Sequence, residues 1–354
     1  MLFMISVIGA GPVGSYAAYL LAKKGHDVQI FEEHKEVGNP VACTGILTSQ
    51  IENIIKLSKD FHINTCNRTK VYAPNGQNIE IKIKPNPIFE RSKFDQHIVQ
   101  LAQDEGAKLN LGHKFMGMKG NKIKVNNKTL SPDYIIGADG PGSLVAKSKG
   151  IFGNRKFSVG VQARIKVNCD SDLVEFWVGR GEFAWLVPED EKTARFGVAS
   201  YSNAKLHFDK LFKTRCPNAK ILEWQSGAIP IYNPKQIIQK DNVRLVGDAA
   251  GQVKATTYGG ILFGMLAAKE LAINLDKYSD NVKKHLGKEL NLALRIRKMM
   301  DKFNPEDYNK LLNLCEKDKV RKILEKHDRD YPSKMLFKLM VVQPGFLKFM
   351  KKLI

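Results

Sequence analysis

The chain opens with apolar and amphipathic stretches in an order that predicts a βαβ unit. Ile5 to Ile8 is a continuous apolar run, suited to a strand buried on both faces. Ala17, Ala18, Leu20 and Leu21 follow a helical pattern that stops near Gly25. Val28 to Phe31 then reads as a second strand ending at Glu32. Alternation in Ile79-Glu80-Ile81-Lys82-Ile83, after Pro74-Asn75-Gly76, predicts a hairpin over 66–90. A helix is expected from Ser92 to Gly106, strands around 122–136, and β-rich structure through 155–230. Val243 to Val246 reads as a strand, and the segment after Gly259 as long and helical.

This order implies an α/β chain with a discontinuous nucleotide-binding domain formed by 1–65, 91–150 and 241–300. A β-sheet substrate domain, 66–90 and 151–240, is inserted into it twice. Residues 301–354 are expected to be a helical, basic C-terminal region.

Composition changes this picture in one respect. Hydrophobic residues at 43% and charged residues at 26% are ordinary for a globular chain of 354 residues, but Lys and Arg outnumber Asp and Glu by 56 to 36. The resulting charge of +20 favours anionic partners such as phosphorylated ligands or acidic membrane surfaces. Nucleic acid is not expected, because no recognition motif or interleaving of aromatic and basic residues accompanies the charge. The five cysteines are widely spaced with no CxxC pair, and the eight histidines show no ligand spacing, so neither a disulfide framework nor a metal is expected. The N-terminus lacks a basic leader and no apolar run approaches a spanning length. The expected location is the cytoplasm, with peripheral contact to the inner face of the cell membrane as an option.

Gly9-x-Gly11-x-x-Gly14 lies between the first strand and helix, the context in which this pattern cradles a dinucleotide. Gly9 permits the turn, Gly11 lets a pyrophosphate approach the backbone, and Gly14 allows close helix–strand packing. Amides near Val13 and the helix dipole favour phosphate charge, and Glu32 is placed to accept from a ribose diol. This unit alone does not separate NAD from FAD. A second segment does: Val243 to Val246 runs into Gly247-Asp248 and small residues through Gly251, and Gly259-Gly260-Ile261 opens a helix. Asp248 can accept from a ribityl hydroxyl, which FAD has and NAD lacks. The amides of Gly260 and Ile261 can face the pyrimidine edge of a flavin, where a reduced ring carries negative charge. FAD is therefore the expected cofactor.

Arg91-Ser92-Lys93-Phe94-Asp95 and Asp139-Gly140-x-x-Ser143, lying in order between these motifs, complete a pattern that resembles the flavoprotein group of aromatic hydroxylases and geranylgeranyl reductases. The resemblance implies a p-hydroxybenzoate-hydroxylase-like fold, with a Rossmann-like FAD-binding domain and an inserted sheet. It implies that Glu32 holds the adenosine ribose, Arg91 the flavin linker and Asp248 the ribityl chain, with Asp139 and Gly140 in the shared fingerprint. Pro40-Val41-Ala42-Cys43-Thr44-Gly45 resembles the geranylgeranyl reductases' cysteine-glycine loop beside the flavin. Phe183-Ala184-Trp185-Leu186-Val187-Pro188 resembles their substrate segment, with Phe183 and Val187 departing from the usual tyrosine and phenylalanine. Tyr258 stands where glycine is frequent.

The resemblance implies an FAD-dependent reductase that saturates C=C bonds of prenyl chains in archaeal-type phospholipids or their precursors. Its partners would be that lipid and an electron donor for which no second nicotinamide motif appears. Cys43 is the candidate catalytic residue, Cys43, Thr44 and Gly45 line the cofactor, and Phe183, Trp185 and Pro188 line the substrate pocket. Two other readings stand beside it: a flavin monooxygenase of an aromatic or quinone-like substrate, and a non-catalytic flavin- or lipid-binding protein. At the C-terminus, Phe346, Phe349, Met350 and Leu353 recur at helical spacing among lysines, which fits a helix on an anionic bilayer or one packed on its own domain.

Overall fold

The computed structural model describes residues 2–179 and 181–353. Its elements begin with β1 (Met4–Ile8), α1 (Pro12–Ala22), β2 (Asp27–Glu32), β3 (His62–Tyr72), β4 (Asn78–Phe89) and α2 (Arg91–Asp104). Next come β5 (Lys108–Leu111), β6 (Phe115–Lys119), β7 (Lys122–Val125), β8 (Lys128–Leu130), β9 (Tyr134–Gly137) and α3 (Leu144–Ser148). The middle of the chain supplies β10 (Phe157–Lys166), β11 (Leu173–Val178), β12 (Phe183–Pro188), β13 (Thr193–Ser200), α4 (Ala204–Arg215) and β14 (Lys220–Pro230). After β15 (Gln239–Lys240) and β16 (Val243–Leu245) come α5 (Ile261–Ile273), α6 (Tyr278–His285) and α7 (Gly287–Met300). The chain ends in α8 (Pro305–Cys315), α9 (Asp318–Lys326), α10 (Pro332–Val342) and α11 (Leu347–Met350).

Two compact units result. The first comprises Met1–Val41, Arg91–Lys156 and Ile229–Asn291; the second comprises Ala42–Glu90, Phe157–Ala228 and Leu292–Ile354. Residues 42–65, expected with the nucleotide-binding segments, group with the second unit. The reason is local pairing: Ile46 bridges Ile88, and the Phe89 amide donates to the Gly45 carbonyl at 3.0 Å.

The first unit is built on a six-stranded sheet of order β15-β16-β9-β1-β2-β5, parallel except for the β15–β16 edge. Ile5, Val7, Val28, Ile30, Ile135, Ile136 and Leu245 are fully buried, as the continuous apolar runs of its strands require. Helix α1 packs against both α2 and α5. A small antiparallel sheet, β6-β7-β8, lies in the same unit.

The second unit holds a seven-stranded sheet of order β14-β10-β13-β12-β11-β3-β4, in which β11 pairs with β3 in parallel while the β10–β13, β13–β12, β12–β11 and β3–β4 pairs are antiparallel. The predicted hairpin is β3–β4, turned at Gly76 with φ +89°. Within the stretch read as β-rich, 204–215 is instead a helix. Phe208, Leu211 and Phe212 recur at helical spacing and pack on Ala163, Ile165, Phe196 and Val198 of one sheet face. The segment after Gly259 is several helices, not one, and α8 places Leu312 on Ala73 and Ile79 of the hairpin.

Of the two readings of the C-terminal segment, Phe346 and Phe349 follow the one in which it packs on its own domain: after the break at Gln343-Pro344-Gly345 they turn inward against Val320 and Leu339. The side chains of Met350 and Leu353 lie outside the described residues.

A β-carbon added at Gly14 would overlap the Gly9 carbonyl oxygen. Gly14→Ala is therefore expected to lower the unfolding free energy by about 1–3 kcal/mol, measured by urea denaturation. An unchanged midpoint would mean that α1 can move off the strand end without penalty.

Candidate functional site

In the first unit, sheet order brings together motifs that lie far apart in sequence. Strands β16, β9, β1 and β2 are consecutive neighbours, and three of them are followed by Asp248, Asp139 and Gly9 while the fourth ends at Glu32. All four residues therefore stand at the carboxyl ends of parallel strands, where open α/β sheets bind ligands. The close approach of these turns depends on missing side chains. A β-carbon on Gly9 would collide with Ala138, and one on Gly264 of α5 would meet Val13 Cγ2 at 2.5 Å.

Gly11, Gly140 and Gly251 behave differently, because a β-carbon at each would meet no protein atom within 4 Å. Their backbones border space that a ligand can enter. Helix α1 begins at Gly11 with no side-chain cap and no acidic residue in its first turn, so its amides, Val13's among them, are disposed toward an anion. Helix α5 likewise begins after Gly260, with Ile261 first, and has no side-chain cap. Glu32 accepts from the Ala10 amide at 2.8 Å and the His34 amide at 3.0 Å, which fixes its carboxylate beside the glycine turn.

Asp248 follows Gly247 in a short 3-10 turn closed by Gly251 at φ +69°. Its carboxylate accepts no hydrogen bond from a protein group among the described residues, and a β-carbon at Gly260 would lie 2.9 Å from its Oδ1. Burial pushes this carboxyl up to about 6, against the pull of the Arg91 guanidinium. Arg91 itself is buried and grips Asp95, with Nη2 3.0 Å from both carboxylate oxygens. Asp139 accepts from Ser143 Oγ at 2.6 Å and from the Val145 amide at 2.9 Å, so it also organises the start of α3. These features fit a flavin dinucleotide: open backbone for phosphates, an acceptor for a ribose, and a polar, unpartnered carboxylate at a second helix start.

Three supporting residues escaped the sequence reading. Arg155 donates to the Ala249 carbonyl at 2.7 Å and stacks on Phe152 at 4.4 Å. Gln252 accepts from the Gly247 amide and donates to Tyr278, both at 2.8 Å, and the Tyr278 hydroxyl donates to the Leu245 carbonyl at 2.7 Å. Together they hold the Gly247-Asp248 turn. Tyr258 has φ +55°, a left-handed conformation that glycine adopts without strain, which accounts physically for the residue expected there.

In the second unit, the strand period sorts the expected substrate residues. Ala184 and Leu186 face α4, whereas Phe183 and Trp185 project from the other face with Phe176, Gln162 and Arg195. Pro188 alternates onto the α4 side and does not share their face, which corrects its grouping with them. The rings of Phe183 and Trp185 lie 5.4 Å apart, and those of Phe176 and Phe183 lie 6.3 Å apart. Gly197 is opposite Trp185 in register, and a β-carbon there would overlap the indole.

Polar groups on this face hold the cysteine loop. Gln162 Oε1 accepts from Trp185 Nε1 at 2.8 Å and from Thr44 Oγ1 at 2.6 Å. Arg195, almost wholly buried, donates to the Thr44 carbonyl at 2.7 Å and pairs with Glu189 at 2.7 Å. The Gly45 amide points to Cys43 Sγ at 3.4 Å, and Cys43 is half-buried. In sequence, Gln162 and Arg195 each sit between apolar neighbours in their strands, and no motif surrounds either.

Two measurements follow. Because the folded Asp248 carboxyl titrates above its unfolded counterpart, its ionisation penalises the flavin-free fold as pH rises from about 4 to about 6. Asp248→Asn apoprotein is expected to be more stable than wild type at neutral pH by about 1–3 kcal/mol, with the gap closing below about pH 4; parallel thermal melts across pH check this. Gln162→Ala strands the Trp185 and Thr44 donors and is expected to cost about 1–3 kcal/mol, read by chemical denaturation.

A family model described as an NAD(P)-binding Rossmann-like domain matches residues 7–44. The digeranylgeranylglycerophospholipid reductase of Methanosarcina acetivorans is 27% identical over 88% of each chain. A solved geranylgeranyl bacteriochlorophyll reductase-like protein from Thermoplasma acidophilum superposes with a TM-score of 0.87 at 23% identity, covering 100% of this chain and 99% of that one. The flavin-dependent brominase Bmp2 superposes at 0.72 with 16% identity, over 99% and 100% of the two chains. The architecture is thus the Rossmann-like flavoprotein fold with a second sheet and a helical C-terminus. Across nearly its whole length the chain is similar to the digeranylgeranylglycerophospholipid reductases, in line with the resemblance carried by its cysteine-glycine loop and aromatic strand.

Proposed function

We propose that this protein is an FAD-dependent reductase that saturates C=C bonds in geranylgeranyl or related prenyl chains of membrane phospholipids or their precursors. The observation that carries this reading is the aromatic sheet face of Phe176, Phe183 and Trp185, hydrogen-bonded through Gln162 to the loop bearing Cys43. The near full-length likeness to a reductase named for such a lipid supports it.

An isolated trisubstituted alkene has no carbonyl to absorb charge, so its reduction needs a proton delivered before or with hydride. A bound flavin would supply the hydride equivalent, renewed by an external low-potential donor. Gly11, Val13 and Gly14 would hold the pyrophosphate, Glu32 the adenosine ribose, and Arg91 and Asp248 the linker and ribityl chain. Asp139 and Gly140 complete this cradle, and Gly251, Gly260 and Ile261 would border the ring; the resemblance gives Thr44 and Gly45 a cofactor role as well. The rings of Phe183 and Trp185 keep water from the alkene, and their π faces stabilise positive charge developing on it. Cys43 orients the reacting groups or delivers the proton, held in place by Thr44's bonds to Gln162 and Arg195. A phospholipid substrate implies work at a membrane surface, and the basic excess suits an anionic one.

Anaerobically reduced protein incubated with a prenylated glycerophospholipid is expected to yield product heavier by one hydrogen molecule per saturated bond, read by mass spectrometry. Cys43→Ala should retain flavin, seen as an unchanged yellow spectrum, and reduce the alkene roughly a hundredfold more slowly. Colourless protein that refuses flavin would sink the reading. Peroxide release or a hydroxylated product with NAD(P)H and oxygen would instead assign a monooxygenase.

A further inference from the structure

Helix α10 has one side built into the second unit and one side exposed among the described residues. Leu339 is buried with Val320, Phe346 and Phe349, and Met335 and Met340 pack against the same cluster. This fixes the rotation of the helix. The opposite side carries Phe337, 70% exposed, and Val341, 63% exposed, at i and i+4, with Val342 and, after the helix, Leu347 also exposed. Exposed large apolar residues clustered in this way are uncommon on a surface that meets only water.

The charges on α10 itself and in the chain after it have one sign. Lys334 and Lys338, again at i and i+4, lie on the same outer side, and Lys348 and Lys351 are exposed beyond it. No acidic residue occurs after Asp330. The two nearest acids before the helix are engaged by protein donors: Asp330 accepts from Thr48 Oγ1 at 2.6 Å, and Asp328 from Gln50 Nε2 at 3.3 Å and the Asp330 amide at 3.0 Å. Lys334 lies over the Tyr331 ring at 4.8 Å, an apolar stem with a charged head of the kind that reaches past an interface to polar headgroups. No helix among the described residues is long and apolar enough to cross a membrane.

We propose that the outer face of α10, continued by Leu347, lies on an anionic lipid bilayer, with Phe337, Val341 and Val342 entering the headgroup–acyl boundary and Lys334, Lys338 and Lys348 meeting acidic headgroups. A second protein copy would suit the apolar residues but would bring the same lysines against each other, so charge complementarity selects the acidic surface. The docking gains its purpose from the reading of a prenylated lipid as substrate and rests on it in that respect, although binding itself needs no turnover. The residues concerned differ from Phe346 and Phe349, which the fold has already used.

The test is co-flotation of the purified holoprotein with vesicles of phosphatidylcholine mixed with phosphatidylglycerol, and with vesicles of phosphatidylcholine alone. Wild type is expected to float with the mixed vesicles and to be released by salt. Phe337→Ser with Val341→Ser, and separately Lys334→Glu with Lys338→Glu, should each weaken binding about tenfold or more. Both double variants change exposed side chains and should keep wild-type melting temperature and flavin content. Absence of flotation, equal flotation with phosphatidylcholine alone, or variants that bind like wild type would each overturn the proposal. So would self-association through this face in place of vesicle binding. Turnover of the same lipid dispersed in detergent separates the two ideas: all proteins should be active there, and inactive wild type would count against the substrate reading without touching the docking face.

Discussion

The close packing of backbone at the carboxyl end of the parallel sheet is the constraint on which the rest of the first unit depends. Gly9 lies against Ala138, Gly14 against Gly9, and both Gly247 and Gly264 against Val13, each approach permitted by a missing β-carbon. Only with the β1, β9 and β16 ends drawn together can turns separated by more than a hundred residues address one extended ligand. The strand order then sets the sequence of groups along that ligand: Glu32, the glycine turn, Asp139 and Asp248.

The second unit solves a different problem, that of keeping a polar loop fixed beside an apolar surface. One face of its sheet is filled by α4, which leaves the other face to carry aromatic rings together with Gln162 and Arg195. A buried guanidinium is tolerable because Glu189 and two carbonyls, of Thr44 and Phe89, satisfy it. The Cys43 loop is thereby tied to rigid strands and not left to its own conformational preferences.

Two features run against the stability of the isolated chain. The Asp248 carboxyl is held where its charge is disfavoured and where no donor among the described residues relieves it, and Tyr258 occupies a left-handed conformation just before α5. Both flank the same helix start. Unfavourable local choices gathered at one place are what a binding site shows when its missing partner is a ligand and not another side chain.

Much of the cofactor cradle was legible in the sequence, because glycines at a strand–helix junction and an acid at a strand end answer to local geometry that a motif records directly. The hairpin at Gly76 and the first βαβ unit were legible for the same reason. The grouping of residues 42–65 with the second sheet, the helix at 204–215, the position of Pro188 and the inward turn of Phe346 and Phe349 were decided only by tertiary structure. In each of these the local pattern was compatible with more than one partner, and the choice fell to whichever apolar surface or open strand edge the distant chain supplied. Gln162, Arg195, Arg155 and Gln252 belong to the same class: a polar residue outside any motif needs a partner, but only the fold says which one it has.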